Sequence, residues 1–303
     1  MRKSALSLCH AEYIRARLLE LYPSCEITLR GITTQGDRIQ DRALADIGGK
    51  GLFIQEIEHA MAEESADLAV HSLKDMPMDM AGGFVIGAVP VREDPRDALV
   101  CNTFRSIDAL PAGAVVGTSS LRREAQLRER NPGIRVKLLR GNVNTRIRKL
   151  DEGMYDAMIL AAAGLNRLEQ NHRIVACLDP SEFLPAVGQG ALALECRADR
   201  DDLIAALAPL VHAPTLLAIT AERAFGRALS GSCHTPLAGH AIFREGELWL
   251  RGLLATREGN DMLRGEASVA LDAQDGDPAT ADALGRRLAA DFMDRGAVRF
   301  LAA

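Results

Sequence analysis

The sequence predicts an α/β protein with two lobes around a cleft, followed by a small α+β C-terminal domain with a three-stranded antiparallel sheet. Three features point to this. Short apolar runs alternate with stretches of helical spacing through residue 167, the rhythm of a mostly parallel sheet covered by helices. Two punctuated links, 92–97 (Arg-Glu-Asp-Pro-Arg-Asp) and 184–191 (Leu-Pro-Ala-Val-Gly-Gln-Gly-Ala), cut the chain twice, so it crosses between lobes and returns. From residue 214 the texture changes to one long helix and then three strand-like runs joined by Glu-Gly and Glu-Gly-Asn-Asp turns. The expected domains are 1–91 with 191–209, then 97–186, then 214–303.

The chain has 303 residues, 48% hydrophobic and 25% charged, the composition of an ordinary globular protein. No apolar run approaches the ~18 residues of a membrane helix. The basic start, Met-Arg-Lys-Ser-Ala-Leu-Ser-Leu-Cys-His, lacks a sustained apolar region, so no signal peptide and a cytoplasmic location are expected. Six cysteines at 9, 25, 101, 177, 196 and 233 form no Cys-x-x-Cys pair, and no histidine stands at zinc spacing. Neither a disulfide framework nor a metal is expected.

The net charge of −5 conceals a basic segment: ten Lys or Arg against Glu124 and Glu129 between residues 122 and 149. A basic surface on an acidic chain points to an anionic ligand. The segment contains no Phe, Tyr or Trp for base stacking, which argues against nucleic acid.

Taken in order, residues 5–21 carry apolar positions at helical spacing, 26–29 read as a strand and 33–37 as a polar loop. Gly48-Gly49-Lys50-Gly51 feeds a helix over 52–64, an anion-binding arrangement without the spacing of a nucleotide loop. A strand over Leu68 and Val70 ends at Pro77 and sets His71, Ser72, Lys74 and Asp75 at a sheet rim, where open α/β folds hold ligands. A strand over 84–89 follows. In the second unit 114–117 is a strand, Thr118-Ser119-Ser120 caps a helix beginning Leu-Arg-Arg, and a strand over 134–139 delivers Arg140-Gly141-Asn142 to the same rim. A helix carrying Arg146, a strand over 157–161 and a turn through 164–167 complete the unit, and the strand over 191–194 returns to the first. Arg122, Arg123, Arg140, Arg146 and Arg167 all lie close to strand ends, which favours a ligand site over a solvated helix face. The C-terminal unit reads as a helix over 216–229, strands over 238–243, 247–254 and 263–271, and a helix over 279–294. Cys233 lies in the loop Gly-Ser-Cys-His-Thr-Pro (231–236), where a thiol is exposed; adjacent His234 is a poor dyad partner.

Seven stretches together resemble the porphobilinogen deaminase (hydroxymethylbilane synthase) family: Ile-Gly-Gly-Lys-Gly-Leu-Phe (47–53), Val-His-Ser-Leu-Lys-Asp-Met-Pro (70–77), Arg-Glu-Asp-Pro-Arg-Asp-Ala (92–98), Gly-Thr-Ser-Ser-Leu-Arg-Arg (117–123), Leu-Arg-Gly-Asn-Val-Asn-Thr-Arg (139–146), 184–191 and 231–236. They run in family order over nearly the whole chain. The resemblance implies two type II periplasmic-binding-protein-like lobes, a third domain carrying the cofactor cysteine, and a monomer. It implies head-to-tail joining of four porphobilinogen molecules with loss of four ammonia molecules, giving hydroxymethylbilane for tetrapyrrole (haem) synthesis. The implied cofactor is dipyrromethane, held by a thioether to Cys233. The substrate loses ammonia to form an azafulvene attacked by the growing chain, and the implied carboxylate that stabilises the developing positive charge is Asp75. The implied partners of the acetates and propionates are Arg2, Arg122, Arg123, Arg140, Arg146 and Arg167, which suit bidentate pairing. Ser4, Lys74, Thr118, Ser120 and the backbone near Gly141 assist, and Lys50, Ser72 and Gln189 occupy further cleft positions.

Three departures stand out. Family members usually place a short strand before Thr-Arg-x-Ser, whereas Met1 takes the threonine position here, so either the start is assigned too far downstream or the first lobe lacks one strand and Arg2 its anchor. Ser232 replaces a common glycine and Asp46 a common lysine. The competing reading is a non-catalytic binding protein for a small polyanion, which has no need of Cys233 and its domain. A nucleic-acid-binding module, with steeply salt-dependent affinity, is the third.

Overall fold

A computed structural model describes residues 1–38, 54–80, 82–229 and 235–301. Its three sheets follow from how the chain crosses between lobes. In the first lobe β1 (Ala69–Ser72), β2 (Phe84–Ala88) and β8 (Leu192–Arg197) pair in the order β1-β8-β2. In the second, β3 (Asp97–Cys101), β4 (Val115–Gly117), β5 (Arg135–Lys137), β6 (Ala157–Ala161) and β7 (Ile174–Cys177) take the order β5-β4-β6-β3-β7. The third sheet is antiparallel, β11-β10-β9, from β9 (Leu237–Arg244), β10 (Glu247–Ala255) and β11 (Met262–Ala270).

The expected mostly parallel sheet is corrected by this topology. Only β4 pairs in parallel, with β5 and β6, and both described pairings in the first lobe are antiparallel. The reason is geometric. A strand leading into a following helix ends at the cleft, but a segment arriving from the other lobe begins there and must run the opposite way. Thus β3 starts opposite the end of β6 (Asp97 with Ala161), and β8 starts opposite the end of β1 (Leu192 with Ser72). The sequence reading missed β3 and β7, because β3 follows directly on a charged proline link and β7 is a short half-buried run.

The helices are α1 (Ala5–Leu21), α2 (Gln35–Arg38), α3 (Gln55–Ala62), α4 (Leu121–Arg130), α5 (Val143–Asp151), α6 (Ala162–Arg167), α7 (Asp201–Leu207), α8 (Ala213–Ala228), α9 (Pro278–Asp294) and α10 (Val298–Leu301). α1 buries His10, Ala11, Ile14 and Leu18 along one stripe. The expected start of the helix over 52–64 lies outside the described residues, as does the Gly-Gly-Lys-Gly turn. The expected strand over 26–29 joins no described ladder; a parallel bridge, Arg2 to Ile32, ties the residues after it to the start of the chain. Among the described residues no single helix is long and apolar enough to cross a membrane.

The third domain packs α8 and α9 against its sheet around Phe225 and Phe292, whose rings meet edge to face at 5.1 Å. One carboxylate joins this domain to both links. Glu222 of α8, fully buried, accepts Arg92 Nη1 at 2.6 Å and Nη2 at 3.1 Å, the Gly188 N–H at 2.7 Å and the Ala241 N–H at 2.8 Å. Burial pushes the Glu222 carboxyl up, but the Arg92 charge and His240 outweigh it and hold it at about 2. The two links also bond to each other: Arg92 Nε donates to Gln189 O, Gln189 Nε2 to Pro95 O, and the Glu93 N–H to Gly190 O. Gly190 has φ +88°, and a Cβ there would lie 2.3 Å from Glu93 O, so the contact requires glycine.

Candidate active site

A cleft of about 610 Å³ lies between the lobes, reached on one side by Thr235 and Leu237 of the third domain. Three helices open onto it: α1 at Ser4, α4 at Ser120 and α5 at Asn142. Each cap side chain satisfies one backbone donor, Ser4 Oγ from Ser7, Ser120 Oγ from Arg123 and Asn142 Oδ1 from Thr145. The other first-turn N–H groups and the positive ends of three helix dipoles favour anions in the cleft. Gly141, at φ +116°, makes the turn that aims α5 at it.

Arg2, Lys74, Arg140, Arg146 and Arg167 line the same space. Among the described residues Lys74, Arg146 and Arg167 form no ion pair; their partners are neutral. Lys74 Nζ donates to Gln189 Oε1 at 3.4 Å, Arg146 Nε to Gly141 O at 2.7 Å, and Arg167 Nη2 to Gly190 O at 3.2 Å. The cost shows in their acidity. Burial, then the Arg123 charge, lowers the Lys74 ammonium to about 8. Burial, then Arg123 and Arg140, lowers Arg146 to about 10. Burial also lowers Arg167, and burial with the Arg2 charge lowers Arg140. A bound polyanion would relieve this repulsion.

Asp75 ends a single 3-10 turn, Leu73–Asp75, that follows β1 directly. Half-buried and facing the cleft, its carboxylate makes no hydrogen bond or ion pair with a described residue. Ser72 lies beside it on the cleft wall.

Other expected residues sit differently. Arg122 and Arg123 reach the cleft wall, with Nη1 of Arg122 and Nε and Nη2 of Arg123 turned to Asp97. Arg122 Nη1 lies 2.7 Å from Asp97 Oδ2 and 2.6 Å from Leu184 O. Arg123 Nε and Nη2 both donate to Asp97 Oδ1, and its Nη1 donates to Ile159 O. Burial would raise the Asp97 carboxyl, yet the two arginines hold it below the usual carboxylate range. Gln189 belongs to this cluster, with Nε2 2.9 Å from Asp97 Oδ1. Thr118 is buried, and its hydroxyl accepts the Ser120 N–H. His71 does not face the cleft rim as expected: its Nε2 lies 2.8 Å from the fully buried Glu195, because alternation along β1 turns it into the lobe. Lys50 and Cys233 lie outside the described residues. Three residues with roles here were missed: Asp97, hidden in an apparent charged linker; Glu222, one acid among many on a helix; and His10 on α1, which lines the cleft.

Two family profiles match: the porphobilinogen deaminase dipyromethane cofactor binding domain over residues 1–205, and the porphobilinogen deaminase C-terminal domain over 216–294. Similar curated proteins include the porphobilinogen deaminases of Laribacter hongkongensis (55% identical over 98% of this chain and 94% of the relative) and Nitrosomonas europaea (53%, over 100% and 96%). Solved structures are more distant; the periplasmic VFT2 domain of BvgS from Bordetella pertussis aligns at TM-score 0.38 and 18% identity over 66% of this chain and 74% of that one.

Replacing Asp97 with alanine leaves two buried guanidinium groups without their counter-charge. The expected loss is about 3–5 kcal/mol in urea unfolding. A loss below about 1 kcal/mol would mean that Arg122 and Arg123 find other partners and are not held by Asp97.

Proposed function

The chain belongs to the porphobilinogen deaminase family, transferases of tetrapyrrole biosynthesis with a dipyrromethane-cofactor domain, and from that premise we propose that Asp75 is its catalytic carboxylate, working inside a cationic cleft. The observation that carries this reading is a half-buried carboxylate at a strand end, with no described hydrogen bond or ion pair, lining a cationic cleft beside Lys74 and Arg146, whose charges it supports. Such a group is available to ring N–H donors of a ligand and is fixed before reaction. As ammonia leaves porphobilinogen, positive charge develops on the pyrrole, and a preorganised anion stabilises that change. Asp75 can also hold or pass on a pyrrole proton.

Porphobilinogen carries an acetate and a propionate, so each addition brings two carboxylates. Arg2, Arg140, Arg146, Arg167 and Lys74 are their proposed partners, with the N–H groups at the starts of α1, α4 and α5. Arg122 and Arg123 act less directly: they hold α4 against Asp97, and their charge lowers the Lys74 ammonium. Gln189 ties Lys74 to the crossing links. The cations suit the carboxylates of dipyrromethane, and Thr235 and Leu237 of the third domain line the same cleft. Cys233 is the proposed thioether attachment. When bound, dipyrromethane supplies the pyrrole to which the first substrate unit is joined.

The intact mass of the denatured protein tests this reading. An excess of two deaminated porphobilinogen units is expected, and it should be absent from Cys233→Ser. A bare wild-type mass that persists after incubation with porphobilinogen would overturn the attachment. Asp75→Asn should keep the fold and lose at least about a hundredfold in turnover; near-normal turnover would remove Asp75 from its role.

Lys74 sets a pH limit. Its cation is present below about 8 and is lost above it. Bound cofactor carboxylates raise that value, so kcat/KM should fall on an alkaline limb above about 8, and Lys74→Arg should move the limb upward. An unmoved limb would show that another group is responsible.

A further inference from the structure

We propose that His10 is a positioning residue for Arg167, the neutral hydrogen-bond acceptor that fixes which edge of that guanidinium faces the cleft; this rests on Arg167 binding a substrate-derived carboxylate, as proposed above. His10 is 3% exposed, on the inner face of α1, yet it lines the cleft. Its Nε2 lies 3.2 Å from Arg167 Nη1. A guanidinium only donates, so Nε2 must be unprotonated and the single imidazole proton must sit on Nδ1. Protonating Nε2 would set two cations edge to edge and break the contact. Burial, then the charges of Arg167 and Lys74, lowers the imidazolium to about 3, which keeps the ring neutral at any working pH.

Arg167 is otherwise held at one other point of its guanidinium, through Nη2 to Gly190 O. Nη1 on His10 and Nη2 on the crossing link pin the group from two sides, α1 in the first lobe and residues 188–191. The rest of the fork is left toward the cleft that Arg167 lines. Removing the acceptor frees the guanidinium to rotate and leaves a buried donor unmatched. The Cys9 thiol donating to Arg167 O holds the backbone of the same residue, so the variants below test the side-chain contact alone.

The test compares His10→Leu, His10→Gln, Arg167→Gln and the double variant His10→Leu/Arg167→Gln as holoenzymes, with KM and kcat for porphobilinogen and the thermal midpoint of each. His10→Leu should raise KM about tenfold with kcat within about threefold, and His10→Gln, whose amide oxygen can accept from Nη1, should recover most of that loss. In the Arg167→Gln background His10→Leu should add little, the mark of two residues acting as a unit. An unchanged KM in His10→Leu while Arg167→Gln is impaired would overturn the role of His10 alone. Equal damage in His10→Leu and His10→Gln would also overturn it, because ring packing and not the acceptor would then matter. An unchanged KM in Arg167→Gln would instead overturn the carboxylate role of Arg167 and, with it, this inference.

Discussion

Asp97 carries a full charge in the interior, at the point where the chain enters the second lobe, and much of the cleft depends on how that charge is met. A buried carboxylate must be paired and hydrogen-bonded or it will not remain ionised. Two arginines and one glutamine meet it: Arg122 and Arg123 from the first turn of α4, and Gln189 from the returning link. Satisfying one acid therefore fixes three things together. The two links are held side by side, the start of α4 is drawn to the cleft, and Ser120 is placed where its helix dipole faces the ligand space. The buried Nε of Arg122, with no described partner, shows that even this dense cluster is not complete.

The electrostatics of the cleft are the counterpart of that cluster. Inside the protein, opposite charges are matched closely; in the cleft, positive charge accumulates among neutral partners. Lys74, Arg146 and Arg167 are each made more acidic by burial, and for Lys74 and Arg146 also by neighbouring cations. Such a wall favours a bound anion, and the proposed ligand, a chain that gains two carboxylates per addition, suits several separate cations.

Coupling to the third domain runs through α8. Glu222 takes both links and the edge of β9, while Arg223, the next residue, donates to Pro77 O and Met78 O at 2.9 and 2.8 Å, just beyond Asp75. One helix therefore braces the crossing links and the turn after the aspartate. Any displacement of that domain relative to the lobes would have to break charge-assisted bonds to buried groups.

The sequence by itself determined what is local. Capped helices such as 5–21 and the one beginning at Leu121, the strand ends that carry Lys74, Asp75 and Arg140, the three-stranded C-terminal sheet and the family motifs were all readable from spacing and punctuation. Tertiary structure alone decided what depends on direction and on partners distant in the chain. Strand polarity was set by which edge the chain enters from, not by the alternation of strand and helix. His71 was drawn into the lobe by Glu195, 124 residues away, and Arg122 and Arg123 were taken by Asp97, 25 and 26 residues earlier. A basic residue at a strand end looks the same in sequence whether it faces a ligand or a buried acid. What separates the two is whether a carboxylate from elsewhere in the chain reaches it first, and only the fold decides that.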